Sequence, residues 1–420
     1  MEKQNRIHPE SVNSDTGETQ PTQSIRRCVC IRSKLTWIIF IIVVIAIITI
    51  PTAIILTKKK SVVETNLTTT IMMTTTTTTT TKEAVWIPTG NMNTARTFHT
   101  QVTLENGNVL VAGGISDSKT ALGRAEVYNP STGLWTATSN MNTARCHHTA
   151  SILMNGDVLV AGGQSVNGPL SSAEVYNPST GLWTTTGGMK TVRYHHTAST
   201  LTNGYVLVVG GTSDGKTALG SAEVYNPSTG RWTTTGIRNT ARSLHTTSIL
   251  TNGNILVAGG VGINGTLNSA EVCNPSTGLW TTNITMSTAR VYHTASILTN
   301  GNVLVAGGQG DGDAVLNSAE VLNLSTGLWI TIGNMSTARF LHTQVTLKNG
   351  NVLVVGGVNG STALCSAEMY NPSTGLWTTN ITMSTARVYH TASILSNGNV
   401  LVAGGIADDS TILNSAEIYG

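Results

Sequence analysis

The stretch that decides the fold is M-N-T-A-R-C-H-H-T-A-S-I-L-M-N-G-D-V-L-V-A-G-G, residues 141–163. It returns with small changes along the C-terminal four-fifths of the chain, and its final glycine pair recurs in every copy. Successive pairs are alternately 49 and 48 residues apart, and a fixed period of this size indicates a repeat architecture. The glycine pairs occupy positions 113–114, 162–163, 210–211, 259–260, 307–308, 356–357 and 404–405.

One repeat unit is predicted to contain four short strands, which we call a to d. Residues 148–153 alternate apolar and polar side chains, which is typical of a half-buried strand a. Asn155-Gly156 is a hairpin signal, and the apolar run 158–161 then predicts a strand b covered on both faces. Residues 173–176 form strand c, and a turn of sequence N-P-S-T-G leads into strand d at 182–184.

Four such strands form a small twisted sheet that cannot bury both of its faces alone. Stacking the units around an axis buries these faces and protects the sheet edges, as in a β-propeller. Large aromatic residues such as Trp183 are expected to fill the space between neighbouring sheets.

The recurring motifs R-x-x-H-T, G-G, A-E-V-Y-N-P and G-L-W together resemble the kelch repeat, over about 330 residues. The resemblance implies an all-β fold, a seven-bladed propeller with four antiparallel strands per blade. Departures from the pattern are few. Cys273 and Leu322 replace the tyrosine of strand c, and Arg231 replaces the leucine before Trp232.

The repeat landmarks are offset in a way that predicts how the ring closes. The first landmark is a strand-d tryptophan, Trp86, and the last is a strand c that ends at Tyr419. Val85-Trp86 should therefore pair with the strand containing Glu417 and Ile418, which removes an open edge. On this interpretation the propeller ends with Gly420. The strand-d tryptophans are Trp86, Trp135, Trp183, Trp232, Trp280, Trp329 and Trp377.

The segments before the repeats predict a membrane anchor. Residues 1–34 are polar and are interpreted as a disordered cytoplasmic tail. Residues 35–57 are uncharged and long enough to span a bilayer as one helix, and they begin too late for a cleaved signal peptide, the alternative. Residues 58–83 are threonine-rich and are expected to form a stalk that carries the propeller at 84–420.

The charges that flank residues 35–57 set the orientation only weakly. Four basic residues precede this run and three follow it, which favours a cytoplasmic N-terminus. The threonine-rich stalk favours the same arrangement, with the propeller extracellular or luminal. N-glycosylation sequons agree with it: Asn66, Asn264, Asn283, Asn323, Asn334, Asn359 and Asn380.

The cysteines give no disulfide framework. Cys28 and Cys30 lie beside the predicted helix, where they are either palmitoylation sites or idle thiols. Cys146, Cys273 and Cys365 occupy different positions in different repeats. Unpaired cysteines argue mildly against a long extracellular life.

Composition excludes some functions. Charged residues are 11% of the chain and the net charge is +3 without a basic patch, so nucleic acid is not an expected partner. No motif predicts a cofactor. The expected partner is an unknown protein or glycan.

The loops predict where a ligand would bind. The a–b and c–d turns are nearly invariant within the chain, whereas the b–c loops and the residues after each strand-a arginine vary and share the other face. We call this the variable face; a rigid scaffold with variable loops is typical of a binding site. Blade-to-blade packing is the alternative role for each of its aromatic candidates. These candidates are Phe98, His147, Tyr194, His195, Tyr292, Phe340 and Tyr389.

Three sharper hypotheses concern chemistry. A copper-radical oxidase of the galactose-oxidase type, or another enzyme with its site in the central channel, is the alternative function, and Cys146, His147 and Tyr194 are its candidate residues. One histidine per repeat could suggest a metal site, but a ring of seven is too wide for one ion, and a repeated structural hydrogen bond is favoured. Aspartates of the b–c loops could bind calcium, but turn formation is favoured.

Repeated charges lead to the last expectation, a structural role for one arginine and one glutamate per repeat. Each arginine should lie over its glycine pair and form a bidentate ion pair with a glutamate. An anion-binding arginine ring is the alternative. The arginines are Arg96, Arg145, Arg193, Arg242, Arg290, Arg339 and Arg387. The glutamates are Glu126, Glu174, Glu223, Glu271, Glu320, Glu368 and Glu417.

Overall fold

A computed structural model describes residues 84–116, 120–236, 238–408 and 410–420. These residues form seven four-stranded antiparallel sheets, the blades of a propeller. None of the described residues lies in a helix long and apolar enough to cross a membrane. The predicted tail, membrane helix and stalk, with Asn66, Cys28 and Cys30, lie outside the described residues.

Each blade runs from an innermost strand a to an outermost strand d. Blades are numbered 1 to 7 in the order of their strands a. Strands a are Thr100–Thr103, Thr149–Ile152, Thr197–Thr200, Thr246–Ile249, Thr294–Ile297, Thr343–Thr346 and Thr391–Ile394. Strands b are Val109–Ala112, Val158–Ala161, Val206–Val209, Ile255–Ala258, Val303–Ala306, Val352–Val355 and Val400–Ala403. Strands c are Ala125–Asn129, Ala173–Asn177, Ala222–Asn226, Ser269–Asn274, Ala319–Asn323, Ser366–Asn371 and Ala416–Tyr419. Strands d are Leu134–Ala137, Leu182–Thr186, Arg231–Thr234, Leu279–Thr285, Leu328–Ile332, Leu376–Thr382 and, for blade 7, Trp86–Thr89.

The ring closes as the offset of the landmarks predicted. Strand Trp86–Thr89 is the outer strand of blade 7, and it pairs with Ala416–Tyr419 in antiparallel register. Trp86 lies opposite Tyr419, and their ring centroids are 5.3 Å apart. The two ends of the described propeller therefore share one sheet, so blade 7 holds the ring shut.

The hydrophobic core lies between the blades. All four residues of each strand b are buried, and successive residues face opposite neighbours. In blade 1, Val109 and Val111 pack with residues of blade 7, whereas Leu110 and Ala112 pack with residues of blade 2. The prediction of a strand covered on both faces is confirmed.

The b–c loops explain why the repeat length alternates. In blades 2, 4 and 6 the loop is one residue shorter than in the odd blades and folds into a two-stranded hairpin. The hairpin strands are Gln164–Ser165 with Gly168–Pro169, Val261–Gly262 with Gly265–Thr266, and Val358–Asn359 with Thr362–Ala363. In blade 5 the loop contains instead a short 3-10 helix, Asp311–Asp313.

Strand boundaries differ from the sequence expectation by one or two residues, for example where strand d of blade 2 extends to Thr186 and where strand a begins. The strand of blade 2 begins at Thr149, not at His148. His147, which directly precedes His148, has a φ of 51°. This left-handed conformation cannot continue a strand, so the strand begins later than expected.

Deleting residues 84–88 tests the closure. The deletion removes most of the outer strand of blade 7 and uncovers Tyr419, so we expect a loss of about 3–5 kcal/mol of unfolding free energy, the scale of losing a large buried aromatic. Ile87→Ser is the matched control, because the Ile87 side chain is exposed in the same strand. Thermal denaturation of the full chain measures both. An unchanged melting temperature for the deletion would contradict the closure.

Candidate functional site

In every blade a buried arginine holds the linker that leads into strand a. In blade 2, Arg145 Nη2 donates to Glu174 Oε1 at 2.8 Å, and neither side chain is more than 1% exposed. Arg145 Nη1 donates to the carbonyl oxygens of Gly162 at 2.8 Å and Ser172 at 2.9 Å. The side chain thus joins the linker before strand a to the end of strand b and the start of strand c. We call this set of contacts the arginine clasp.

The glutamate of the clasp also holds the linker. Glu174 Oε2 accepts the backbone N–H of Asn142 at 2.7 Å, and Oε1 accepts that of Thr143 at 2.9 Å. The same bonds recur at all seven repeats, where arginine Nη2 lies 2.6–2.9 Å from glutamate Oε1. Burial lowers the pKa of Arg145, and the hydrogen bond to Glu174 opposes that shift. The two clasp charges therefore balance each other within each blade.

The expected bidentate geometry is wrong. Each clasp arginine gives its glutamate one nitrogen, because Nη1 instead satisfies two backbone carbonyls that would otherwise be buried without donors. The pair also forms within one blade. All seven arginines are 0% exposed and face a carboxylate, so the described propeller presents no ring of open guanidinium groups to an anion.

The glycine pair makes room for the neighbouring blade. A side chain at Gly113 would overlap the carbonyl of Arg145 and the ring of His148, and Gly113 has a φ of 65°. The N–H of Gly114 donates to the same Arg145 carbonyl at 2.9 Å. Each clasp linker is therefore docked on the preceding blade by its backbone.

The repeated histidine also links neighbouring blades. His148 Nε2 lies 2.9 Å from Thr100 Oγ1 of blade 1, and His99 Nε2 lies 2.8 Å from Thr391 Oγ1 of blade 7. Equivalent contacts of 2.7–3.0 Å complete the circle. The Nε2 atom of each of these histidines thus faces a threonine, which is the structural hydrogen bond favoured from the sequence.

Just before each of these histidines, the chain turns one side chain towards the channel mouth. This residue has a φ of 51–55° in every blade. Left-handed backbone costs a non-glycine residue about 1–3 kcal/mol, and the clasp on one side and the histidine on the other hold it in place. We call this set the channel ring: Phe98, His147, His195, Leu244, Tyr292, Leu341 and Tyr389.

Four of the seven channel-ring residues form a continuous row of tilted and edge-on aromatic contacts, which we call the aromatic belt. Its ring centroids are 4.2 Å apart between Tyr389 and Phe98, 4.2 Å between Phe98 and His147, and 4.4 Å between His147 and His195. These four side chains come from blades 7, 1, 2 and 3 and are half-buried. Burial lowers the pKa of His147 to about 3 and that of His195 to about 4, so both rings are neutral near pH 7.

The other half of the channel ring is open. A cavity of about 270 Å³ lies beside Leu244, Tyr292 and Leu341, with the buried histidines of the same blades beneath. Burial raises the pKa of Tyr292, so its hydroxyl stays protonated. The channel mouth therefore combines a half of packed aromatic rings with a pocket lined by leucine, tyrosine and histidine side chains.

The structure separates the aromatic candidates into two groups. Phe98, His147, His195, Tyr292 and Tyr389 belong to the channel ring. The other two candidates, Tyr194 and Phe340, stand one residue before the channel-ring residue of their linkers. Each forms an antiparallel β-bridge with the residue that follows the glycine pair of its blade: Tyr194 with Thr212, and Phe340 with Val358. Leu244 and Leu341 hold the same position, two residues after the clasp arginine, but were not among the aromatic candidates.

The loop aspartates make local contacts. Asp214 accepts the N–H groups of Lys216 at 2.9 Å and Thr217 at 2.7 Å, which is turn geometry. Asp408 accepts the N–H of Ala363 at 2.9 Å and so joins the loops of blades 7 and 6. Asp117 and Asp409 lie outside the described residues.

One linker departs from the repeat at its core position. Arg238 stands where the other blades have a buried methionine such as Met286, and it is 4% exposed. Its Nη2 donates to the carbonyl of Leu219, and Trp280 lies 5.8 Å from its guanidinium carbon. Burial lowers the pKa of Arg238 to about 9, so the side chain is still mainly charged near pH 7.

The candidate residues of the copper hypothesis lie in neighbouring linkers, where the ring centroids of His147 and Tyr194 are 6.4 Å apart. Within the described ranges, no three His, Cys, Asp or Glu side chains form a group that could hold a metal ion. Cys146 is buried, its sulfur lies 3.6 Å from the carbonyl oxygen of Gln164, and burial raises the pKa of its thiol to about 11. The thiol of Cys146 is therefore protonated near pH 7.

Two solved structures of low sequence identity have similar folds. One is described as a novel fungal alcohol oxidase with catalytic diversity among the AA5 family, in complex with copper. It is 18% identical with a TM-score of 0.67, covering 81% of this chain and 76% of that one. The other is YjhT, 15% identical with a TM-score of 0.54, covering 69% of this chain and 98% of that one. At these identities the likeness shows the fold alone.

Family models give the more specific match. The KLHDC2/KLHL20/DRC7 Kelch-repeats domain matches residues 58–260, and the Kelch motif matches residues 290–336 and 340–379. No curated protein matches the chain. The matched residues include the glycine pairs of blades 1 to 6. The chain belongs to the kelch-repeat β-propeller family.

Proposed function

We propose that this chain is a membrane-anchored recognition protein whose variable face binds a protein ligand. The observation that carries the proposal is the aromatic belt, a half-buried row of aromatic rings in contact. A left-handed backbone conformation holds these rings at the channel mouth of a rigid propeller. Preorganised aromatic side chains lose little entropy on binding and are enriched among the residues that dominate binding energy.

The b–c loops support the same location. They surround the belt, and their tips differ in sequence from blade to blade while the scaffold beneath them repeats. The hairpin tips of blades 2 and 4 present Val166 and Ile263, which are 80% and 92% exposed. Exposed apolar tips around an aromatic centre give a surface that a protein ligand can cover. A glycan ligand is the alternative that the binding test separates.

The membrane anchor is proposed from the uncharged run at 35–57 and the flanking charges. A helix there would hold the propeller outside the cell or in the lumen, on the threonine-rich stalk. In this arrangement the variable face is displayed to ligands on the far side of the membrane from the N-terminal tail.

The belt should dominate binding. The full chain in lipid nanodiscs is panned against a phage-displayed peptide library and, separately, probed on a glycan array. We expect peptides enriched by the wild type to lose binding at least tenfold to the Phe98→Ala, Tyr389→Ala double variant. Leu134→Ala, Leu376→Ala is the matched control, because these side chains are exposed on the outer strands, far from the channel.

Two results would contradict the binding proposal. In the first, the belt variant, with an unchanged melting temperature, binds the enriched peptides as the wild type does. In the second, the array shows belt-dependent glycan binding while no peptide is enriched.

The membrane topology has its own test. Protease added to intact cells that express the full chain with an N-terminal epitope should remove the propeller and leave the epitope on a short membrane-bound fragment. Permeabilised cells should lose the epitope as well. Loss of the propeller only after permeabilisation would show that the orientation is the reverse.

A further inference from the structure

The sequons of the propeller are confined to three consecutive blades. Six of the seven sequons lie in the repeats, and all six fall between strand b of blade 4 and strand d of blade 6. They are Asn264, Asn283, Asn323, Asn334, Asn359 and Asn380. Blades 7, 1, 2 and 3 also contain asparagines but no sequon.

Proline explains the absence of sequons at most c–d turns. These turns read N-P-S-T-G in blades 1, 2, 3, 4 and 6, with asparagine and serine at sequon spacing but proline between them. Proline at the middle position blocks N-glycosylation. In blade 5 that proline is replaced by Leu324, so Asn323 becomes an acceptor in an otherwise standard turn.

The blade 5 turn keeps its geometry after this replacement. Asn323 Oδ1 accepts the N–H of Ser325 at 3.0 Å and the hydroxyl of Ser325 at 2.6 Å. The equivalent asparagine of blade 2, Asn177, accepts the N–H of Ser179 in the same way at 3.0 Å. These turn contacts engage the oxygen of Asn323, whereas a glycan is attached through its nitrogen.

The hairpin tips show the same contrast. Asn264-Gly265-Thr266 in blade 4 and Asn359-Gly360-Ser361 in blade 6 place an exposed asparagine on a sequon at the tip. The corresponding hairpin of blade 2 reads Asn167-Gly168-Pro169, and proline at the third position removes the hydroxyl that a sequon requires. Asn167 is also exposed, so only the sequence separates it from the other two.

We propose that blades 4 to 6 are modified by N-linked glycans at Asn264, Asn323 and Asn359, and that blades 7, 1, 2 and 3 form a glycan-free sector. In this modification the asparagine Nδ2 loses a proton and bonds to the anomeric carbon of a lipid-diphosphate-linked oligosaccharide, and the lipid diphosphate leaves. The inference rests on the proposed luminal or extracellular placement of the propeller. The glycan-free sector also carries the aromatic belt, so the two glycans on the variable face, at Asn264 and Asn359, would leave the belt open to a ligand.

Glycopeptide mass spectrometry of the full chain from eukaryotic cells tests the proposal. We expect deglycosylation by peptide-N-glycosidase to reveal occupied Asn264, Asn323 and Asn359. Thr266→Ala and Leu324→Pro should each remove one glycan without touching the asparagine. Leu324→Pro restores the turn sequence of the other blades.

Pro169→Thr is the control that distinguishes failure of this glycosylation proposal from failure of the proposed membrane topology. It gives the blade 2 hairpin the N-G-T tip of blade 4, so a luminal propeller should gain a glycan at Asn167. If Asn167 of this variant is occupied while Asn264, Asn323 and Asn359 are not, the topology stands and the proposal is overturned. If no site is occupied, Asn167 of the variant included, the placement of the propeller fails and the proposal with it.

Discussion

The arginine clasp is the interaction on which the rest of the structure depends. Seven guanidinium groups and seven carboxylates are removed from water, and each would be costly to bury alone. The clasp makes burial tolerable because the arginine satisfies two carbonyls as well as the carboxylate, while the carboxylate accepts two backbone N–H groups in return. One side chain pair thus completes the hydrogen bonding of three chain segments that meet at a strand end.

The clasp also prepares the candidate site. It fixes the linker just before the channel ring, and the histidine–threonine contact fixes the chain just after it. Between these two anchors a single residue takes a left-handed conformation and directs its side chain to the channel mouth. Because the anchors are invariant in this chain and the intervening residue is not, the scaffold can vary its recognition surface without changing its fold.

Much of the fold could be predicted from the repeat itself. The spacing of the glycine pairs gave the number of blades, and the offset of Trp86 gave the closing strand, since both depend only on sequence order. The apolar run of strand b predicted the core between the blades, because a continuous apolar strand must be covered on both faces.

The site was less predictable. The contact between the aromatic rings of Tyr389 and Phe98 joins residues from opposite ends of the propeller sequence. It therefore exists only after the ring of blades has closed. The positive φ of Leu244 and Leu341 has no signature in residue type, and their apolar side chains gave no reason to group them with the aromatic candidates. The bidentate ion pair failed because pairing arginine with glutamate ignores the backbone carbonyls that compete for the same nitrogens.

A double-mutant cycle on one clasp tests the central claim most directly. Arg290→Ala, Glu320→Ala and the double variant are compared with the wild type by denaturant unfolding of the full chain. Each single change should cost about 3–5 kcal/mol, because it leaves the buried partner uncompensated. The double variant should cost less than the sum by about 0.5–3 kcal/mol, the coupling of residues in direct contact. Additive losses, or single variants as stable as the wild type, would contradict the clasp as the organising interaction of this propeller.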